Sequence, residues 1–169
     1  MTGLIITGGS INCAFAGAFL KIREFDMVIA VDGGLAAVKS LNIRPDAIVG
    51  DFDTVKGELL EEYRRMGGIA FEQHQPEKDE TDTELALRTA MEAGVNDIVL
   101  LGATGGRLDH SIGNIHLLYA CLQKGVKASI VDEKNRLYIL DQGKTYRFGE
   151  IWGKYISFLP LTEEVHGIT

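Results

Sequence analysis

The sequence predicts an α/β protein: a mostly parallel, Rossmann-like sheet with helices on both faces, followed by the start of a small antiparallel β-domain. Short apolar β-type runs alternate with segments of helical periodicity over most of the chain, which is typical of parallel strands joined by crossover helices. After about Asp132 the β-type runs follow one another with no helical segment between them. We therefore place the α/β domain at residues 1–132 and the second unit at 133–169.

The α/β part contains six β-type runs, which read in chain order LIIT, MVIAV, AIVG, IAF, DIVLL and ASIV. Two segments between them carry apolar residues at helical spacing and predict helices packed on the sheet: TELALRTAMEAG through Leu87, Ala90 and Met91, and SIGNIHLLYACLQKG through Ile112, Ile115 and Tyr119. In the second unit, NRLYILDQGKTYRF forms two β-type runs around a glycine-containing turn, and KYISFLPL forms a third.

Composition limits the function and the location. The chain has 169 residues, 46% of them hydrophobic, and a formal net charge of −7. The charge weighs against a nucleic-acid partner, because phosphate backbones bind basic faces. Cys13 and Cys121 have no CxxC spacing, which predicts reduced thiols in the cytoplasm. The apolar N-terminus lacks a basic leader, and no run approaches the ~20 apolar residues of a membrane span, so we expect no signal peptide and no membrane partner.

The loops after the β-type runs carry the candidate site, because ligands of α/β sheets bind beyond the carboxyl ends of the strands. The loops after the first, second, third and fifth runs read TGGS, DGG, GDFD and GATGGRLDH. Glycine and aspartate are also ordinary turn residues, so each loop taken alone is explained as a turn. Four such loops at one edge of one sheet favour a ligand site.

The GDFD loop predicts a divalent metal. Asp51 and Asp53 are two residues apart, so their side chains point to the same side if the chain stays extended, while Phe52 points to the other. Converging carboxylates raise one another's pKa unless a cation lies between them, and Mg²⁺ is a hard cation that takes carboxylate oxygens. The alternative is a turn with two solvated aspartates.

The segment KDETDTE has two interpretations. Thr81 and Glu84 have the spacing of a capping box, which puts Asp82 at the first helical position, where the helix dipole favours an acid. The same segment brings Lys78 and Asp79 next to Asp82, a combination that suits an additional metal ligand and a cation for phosphate. Both interpretations stay open on the sequence alone.

The segment GATGGRLDHSIGN is typical of an anion-binding loop. Its glycine N–H groups can approach an anion, Arg107 offers a planar fork for phosphate oxygens, and a helix N-terminus follows. It is neither a Walker A loop nor a GxGxxG motif. His110 either contacts a ligand or caps the helix. With the carboxylates, these loops predict metal-assisted phosphoryl chemistry.

In this order and spacing, the motifs TGG, VDGG, GDFD, KDETDTELAL and GATGGRLDHSIGNIHLL resemble the thiamine pyrophosphokinase (thiamine diphosphokinase) family. The resemblance covers essentially the whole chain. It implies transfer of the pyrophosphoryl unit of ATP, the co-substrate, to the hydroxyl of thiamine, giving thiamine diphosphate and AMP, with Mg²⁺ required. Two alternatives remain: a pyrophosphokinase of similar fold that acts on a pterin alcohol, and a non-catalytic nucleotide-binding fragment.

The resemblance also implies residue roles. Asp51, Asp53 and Asp82 would hold Mg²⁺ and the triphosphate, and Arg107 would neutralise charge at the β-phosphoryl group. The remaining implied roles are ATP contacts by Gly8, Gly9, Lys78, Asp79, Thr104, Gly105 and His110, a nucleotide or thiamine side lined by Asp32, Gly33 and Gly34, and a loop held in place by Asp109 and Asn114.

The family's fold implies a partial β-sandwich, thiamine-binding domain at 133–169. Family members dimerise so that thiamine lies between the α/β domain of one subunit and the β-domain of the other, which implies a homodimer for the full-length form. The family pattern continues past LTEEVHGIT through further strands to a Ser-Asn motif that contacts thiamine, and this sequence has no such residues.

Overall fold

The computed structural model describes residues 1–74, 79–147, 149 and 151–168. It contains one mixed sheet with the strands β1 (Thr2–Ile6), β2 (Met27–Val31), β3 (Ala47–Gly50), β4 (Ala70–Gln73), β5 (Asp97–Leu101), β6 (Lys127–Val131) and β7 (Arg136–Tyr138). The seven strands lie in the order β4-β3-β2-β1-β5-β6-β7. All neighbouring pairs are parallel except β6 and β7, which are antiparallel. The predicted fold class is confirmed.

Helices cover both faces of this sheet: α1 (Cys13–Ile22), α2 (Gly34–Ser40), α3 (Gly57–Met66), α4 (Asp82–Glu92) and α5 (Leu108–Gln123). Within β1, Leu4 and Ile6 pack into the core under α1, α2 and α3, whereas Ile5 packs into the core under α4 and α5. A strand buried on both faces reads as a continuous apolar run, which explains why β1, β2, β3, β5 and β6 are visible in the sequence. The edge strand β4 is only partly buried. In the described part of the chain, no helix is both long and apolar enough for a membrane crossing.

The sequence identified α4 and α5 but not the three helices on the opposite face. Helix α1 begins at a side-chain cap, because Asn12 Oδ1 accepts hydrogen bonds of 3.1 Å from the N–H groups of Ala14 and Phe15. Helix α3 is strongly amphipathic and buries Leu60 and Tyr63. These two helices form the crossover connections from β1 to β2 and from β3 to β4.

The predicted contact face is right for α4 and only partly right for α5. Leu87 and Ala90 of α4 are buried, as expected. In α5, Ile115 packs against the core as expected, but Ile112 and Tyr119 are 47% and 51% exposed. The buried residues of this helix are Leu118 and Cys121. The reason is that apolar residues occur on more than one side of α5, so their spacing does not define a single buried face.

The antiparallel unit begins with the β6–β7 pair, and β7 extends the main sheet. Of the strands predicted beyond it, none is present in the described residues 139–147, 149 and 151–168. A strand needs a hydrogen-bonded neighbour, and this segment forms no ladder; Tyr155 and Leu159 are 89% and 81% exposed. The segment still contacts the core, since the Trp152 ring lies 6.1 Å from that of Phe15. The division into domains at 132 and 133 stays a prediction.

A close approach between two loops makes Gly9 a test of the packing at the carboxyl edge of the sheet. A Cβ at Gly9 would overlap the Gly102 carbonyl oxygen and lie 2.6 Å from that of Thr104. We expect Gly9→Ala to lower the free energy of unfolding by about 1–3 kcal/mol, as overpacking does, measured by urea denaturation. Gly57→Ala is the control, because a Cβ there meets nothing within 4 Å. Equal stability of both variants would contradict this rigid loop contact.

Candidate functional site

The sheet order creates a crevice at the carboxyl ends of β1 and β5. Successive strands lie on one side of β1 up to β4, and β5 returns to its other side, which is the topological switch point where α/β proteins bind ligands. The loops after these two strands meet there: the N–H groups of Gly9 and Ser10 donate to the carbonyls of Gly102 and Thr104, each at 2.9 Å. Because these bonds occupy the N–H of Gly9, its contribution is the close approach of the two loops.

The loop after β2 joins the same crevice. The backbone of Gly8 lies against that of Gly33, so that a Cβ on Gly8 would be 3.4 Å from the Gly33 Cα. Gly34 begins α2 and lies against the carbonyl of Ile6, where a Cβ would overlap the oxygen. The TGG loop therefore contacts both the DGG loop and the GATGG loop, which the sequence predicts at one edge.

Four carboxylates lie on the β2–β3 side of the crevice. Asp32 follows β2, Asp51 and Asp53 follow β3, and Asp82 is the first residue of α4. Burial, followed by hydrogen-bond contact with the Asp82 carboxyl, raises the pKa of Asp32 to about 7. Contact with the Asp51 carboxyl is the main cause of a raised pKa at Asp53. The predicted set Asp51, Asp53 and Asp82 thus lies together, and Asp32 belongs to it.

The two aspartates of GDFD converge through a turn, so the extended backbone assumed for them is wrong. Phe52 has φ 66° and Asp32 has φ 41°, both in the left-handed region that a bulky side chain rarely adopts. The Phe52 ring is buried 6.5 Å from that of Phe71, and its N–H donates to Asp32 Oδ1 at 3.2 Å. Packing and this hydrogen bond offset the backbone strain. The Asp53 N–H donates to Asp51 Oδ1 at 3.0 Å.

Gly50 allows the Asp32 carboxylate to lie against β3. A Cβ on Gly50, whose φ is 152°, would overlap Asp32 Oδ1. The glycine of GDFD is therefore as necessary to the cluster as its two aspartates, since it leaves space for a third carboxylate from the neighbouring strand.

The structure confirms the helix-cap interpretation of KDETDTE, and the metal- and phosphate-binding interpretation stays a prediction. Thr81 is the N-cap of α4, and its Oγ1 accepts a 3.2 Å hydrogen bond from the N–H of Glu84. Asp82 is at the first helical position and also contacts Asp32. Asp79 is exposed, and Lys78 lies outside the described residues.

The loop before α5 holds its arginine by an ion pair. Arg107 Nε donates to Asp109 Oδ1 at 3.1 Å, and Nη2 donates to the other carboxylate oxygen, which raises the pKa of Arg107 and lowers that of Asp109. Asp109 Oδ1 also accepts from the His110 N–H at 3.0 Å. Asn114 Nδ2 donates to the Ala103 carbonyl at 2.9 Å and fastens the start of the loop to α5. The phosphate-binding roles of Arg107, Gly105 and His110 stay predictions.

Sequence reasoning missed Asp132, which follows β6 at the same edge. Its carboxylate accepts hydrogen bonds from the Thr104 hydroxyl at 3.1 Å and from the N–H groups of Lys134 and Asn135 at 2.8 and 2.7 Å. Burial raises the pKa of Asp132, but these hydrogen bonds outweigh it and the pKa is lowered. The signal was its position: Asp132 follows the run ASIV as the other site loops follow theirs.

The carboxylate cluster fits a hard divalent cation in its chemistry. Among the described residues, no group of three or more His, Cys, Asp or Glu side chains is arranged as a formed metal site. The Asp82 carboxyl contributes to the raised pKa of Asp32, and the Asp51 carboxyl is the main cause of the raised pKa of Asp53; a cation relieves this kind of repulsion between like charges. All the donors are carboxylate oxygens, which Mg²⁺ prefers.

The fold and the site define the class: a doubly wound α/β protein with an acidic, glycine-lined crevice at its switch point. The family model for "Thiamin pyrophosphokinase, catalytic domain" matches residues 20–130. The chain is 35% identical over 148 residues to the thiamine pyrophosphokinase of Bacillus subtilis (strain 168), covering 86% of this chain and 68% of that relative. The chain belongs to the thiamine pyrophosphokinase family, as its motifs predicted.

Other relatives agree. The chain is 34% identical over 129 residues to thiamine pyrophosphokinase 1 of Oryza sativa subsp. japonica, covering 72% of this chain and 48% of that relative. The crystal structure of thiamine pyrophosphokinase from Bacillus subtilis superposes with a TM-score of 0.68 at 30% identity, over 80% of this chain and 62% of that one. The chain thus spans about half to two thirds of the length of these relatives.

The raised pKa of Asp32 predicts a stability change. A carboxyl whose folded-state pKa lies above its unfolded value loses stability as the pH rises from about 4 through about 7, because the folded state then gives up a proton that it holds more tightly. Without divalent cations, Asp32→Asn should raise the free energy of unfolding at pH 8 by about 1–2 kcal/mol, a value reduced for solvent screening of a partly exposed group. Asparagine also tolerates the left-handed φ. Urea denaturation at pH 5 and pH 8 measures the effect.

The control is Asp26→Asn, which lies just before β2 at the amino-terminal ends of the strands. The Asp26 carboxylate accepts a 2.6 Å hydrogen bond from the Thr2 N–H, and its pKa is lowered, chiefly by that bond. This variant should lose stability at pH 8. A destabilised Asp32→Asn at pH 8 would show that the four carboxylates do not repel one another in the folded chain.

Proposed function

We propose that this chain contains the ATP- and metal-binding part of a thiamine diphosphokinase, which transfers the pyrophosphoryl group of ATP to the hydroxyl of thiamine and releases AMP. The observation that carries the proposal is the cluster of Asp32, Asp51, Asp53 and Asp82 at the switch-point crevice of a chain of this family. An acidic cluster beside glycine loops suits a nucleotide that arrives with a divalent cation.

Mg²⁺ would be held by Asp51, Asp53 and Asp82. Asp32 would be a fourth carboxylate beside them. When bound, Mg²⁺ supplies neutralisation of the triphosphate charge. The reaction breaks the bond between the α,β-bridging oxygen and the β-phosphorus, with its electron pair leaving on AMP, and forms a bond between the thiamine hydroxyl oxygen and that phosphorus. The hydroxyl proton leaves the oxygen, and AMP is the leaving group. The protein's contribution is to position these groups, which is the main source of rate in phosphoryl transfer.

The loop before α5 supplies a positively charged side chain of the protein, that of Arg107. Arg107 is 71% exposed and bound to Asp109, so a phosphate can take its guanidinium without breaking a buried contact. Asn114, through its bond to the Ala103 carbonyl, keeps the loop beside the crevice during that exchange. Asp109 retains the His110 N–H as a partner when Arg107 leaves.

The proposal extends to the setting of the reaction: a homodimer in the full-length form, a cytoplasmic location, and no nucleic-acid or membrane partner. The family resemblance supports the dimer, as do the exposed apolar side chains of Leu108, Ile112 and Tyr119 on α5. The free thiols of Cys13 and Cys121 support a reducing compartment. The net charge of −7 supports the lack of a nucleic-acid partner.

Nucleotide binding tests the proposal without requiring thiamine. With Mg²⁺ and ATP at about 100 times the dissociation constant, we expect the thermal midpoint to rise by roughly 5–10 °C. Asp51→Asn and Asp82→Asn should lose most of that rise, because each removes a carboxylate from the cation. Asp26→Asn, at the amino-terminal ends of the strands, should keep it. No shift with ATP and Mg²⁺ in the unmodified chain would refute the nucleotide site.

Turnover tests the reaction itself. In the full-length form and in the presence of thiamine, AMP formation measured by chromatography should fall by about 100-fold or more in Asp51→Asn and Asp82→Asn, because misplaced reacting groups lose at least that factor. A pterin alcohol in place of thiamine should give no AMP. Unchanged AMP release in both variants would sink the assigned role of the carboxylates.

A further inference from the structure

A second side of the crevice lies opposite the carboxylate cluster. A small pocket opens between the glycine loop and the end of β6, and its lining includes Ser10, Ile11, Phe15 and Asp132. Thr104 is bonded to two of these residues: its carbonyl accepts from the Ser10 N–H at 2.9 Å, and its hydroxyl donates to Asp132 Oδ2 at 3.1 Å. The side chain of Thr104 is partly exposed at this position.

The Thr104 hydroxyl has a fixed polarity. An ionised carboxylate only accepts hydrogen bonds, and a hydroxyl has a single hydrogen to donate. The lowered pKa of Asp132 keeps its carboxylate ionised at neutral pH. The Thr104 hydrogen is therefore committed to Asp132, and the lone pairs of its oxygen are what it presents to a ligand.

Asp132 itself is held by its own turn. Its Oδ1 accepts from the N–H groups of Lys134 and Asn135, and the Asn135 side-chain amide donates to both carboxylate oxygens at 3.0 and 3.2 Å. A carboxylate with this many donors has little capacity left for a ligand. Asp132 is thus a positioning residue that acts through Thr104.

The polarity of Thr104 distinguishes the two ends of a nucleotide. The triphosphate of ATP at neutral pH presents acceptor oxygens, which a hydroxyl without a free hydrogen cannot bind. The nucleoside carries donors: the ribose hydroxyls and the adenine amino group. Resting on the function proposed above, we propose that the Thr104 hydroxyl, oriented by Asp132, accepts a hydrogen bond from a ribose hydroxyl or from the adenine amino group. The nucleoside then lies on the β5–β6 side of the crevice and the triphosphate on the carboxylate side.

Nucleotide analogues test this inference on the whole 169-residue chain. Dissociation constants are measured by calorimetry, with Mg²⁺, for ATP, 2′-deoxy-ATP, 3′-deoxy-ATP and the triphosphate of purine riboside, which lacks the amino group. The unmodified chain should bind one of the three analogues about five- to tenfold more weakly than ATP, the loss expected for one hydrogen bond. That analogue identifies the donor.

Thr104→Val should bind ATP as weakly as the unmodified chain binds that analogue, and should no longer distinguish the two. Thr104→Ser keeps the hydroxyl and should keep the discrimination. Asp132→Ala should weaken ATP binding through loss of the orienting bond, and adding Asp132→Ala to Thr104→Val should cause little further loss. The matched control is Thr89→Val, since the hydroxyl of Thr89 on α4 donates to Glu72 Oε2 of β4 at 2.7 Å, on the other side of the sheet from β5 and β6. Its dissociation constants should not change.

Two results would overturn the inference while leaving the proposed function intact. One is an unchanged ATP affinity in Thr104→Val. The other is an equal loss for ATP and all three analogues, which is the pattern of a phosphate contact. If the unmodified chain bound none of the four nucleotides, the proposed function would fail together with the inference.

Discussion

Repulsion between carboxylates is the constraint around which the carboxyl edge of the sheet is organised. Asp32, Asp51, Asp53 and Asp82 come from three separate elements and are held in contact, although the pKa of Asp32 is raised to about 7 by this placement. Such an arrangement persists because the strands beneath it are buried on both faces, which fixes where each carboxylate emerges. The left-handed backbone of Phe52 is a second unfavourable feature of this edge, and the packing of its buried ring keeps it in place.

The sheet order then separates two chemical environments across one crevice. The loops after β2 and β3 and the start of α4 carry carboxylate oxygens that suit a cation. The loops after β5 and β6 carry Thr104 and Asp132, and the hydroxyl hydrogen of Thr104 is committed to Asp132. The glycine loop after β1 lies between them and is bonded to the β5 loop. An elongated ligand with a charged end and a donor-bearing end matches that division, and ATP is such a ligand.

The sequence predicted those parts of the molecule whose burial is two-sided. Strands β1, β2, β3, β5 and β6 contain runs of buried apolar residues and were found, as was the partly exposed edge strand β4, whereas the helices α1, α2 and α3 were missed. The contact face of α5 was only partly right, because apolar residues occur on more than one side of that helix. The sequence predicted that Asp51 and Asp53 converge. It did not predict the turn that brings them together, because tertiary packing sets the positive φ of Phe52. Asp132 was missed because a single aspartate in a turn has no pattern of its own.

The ion pair of Arg107 and Asp109 shows how the loop before α5 can exchange partners at low cost. Both side chains are largely exposed, and exposed ion pairs contribute little to stability because water screens them. A phosphate in the crevice offers Arg107 a more highly charged and less solvated partner, so the exchange is favourable within the proposed function. The contrast with Asp132 is informative: a carboxylate saturated by backbone donors stays fixed and orients Thr104, whereas one bound to an exposed arginine is free to release it.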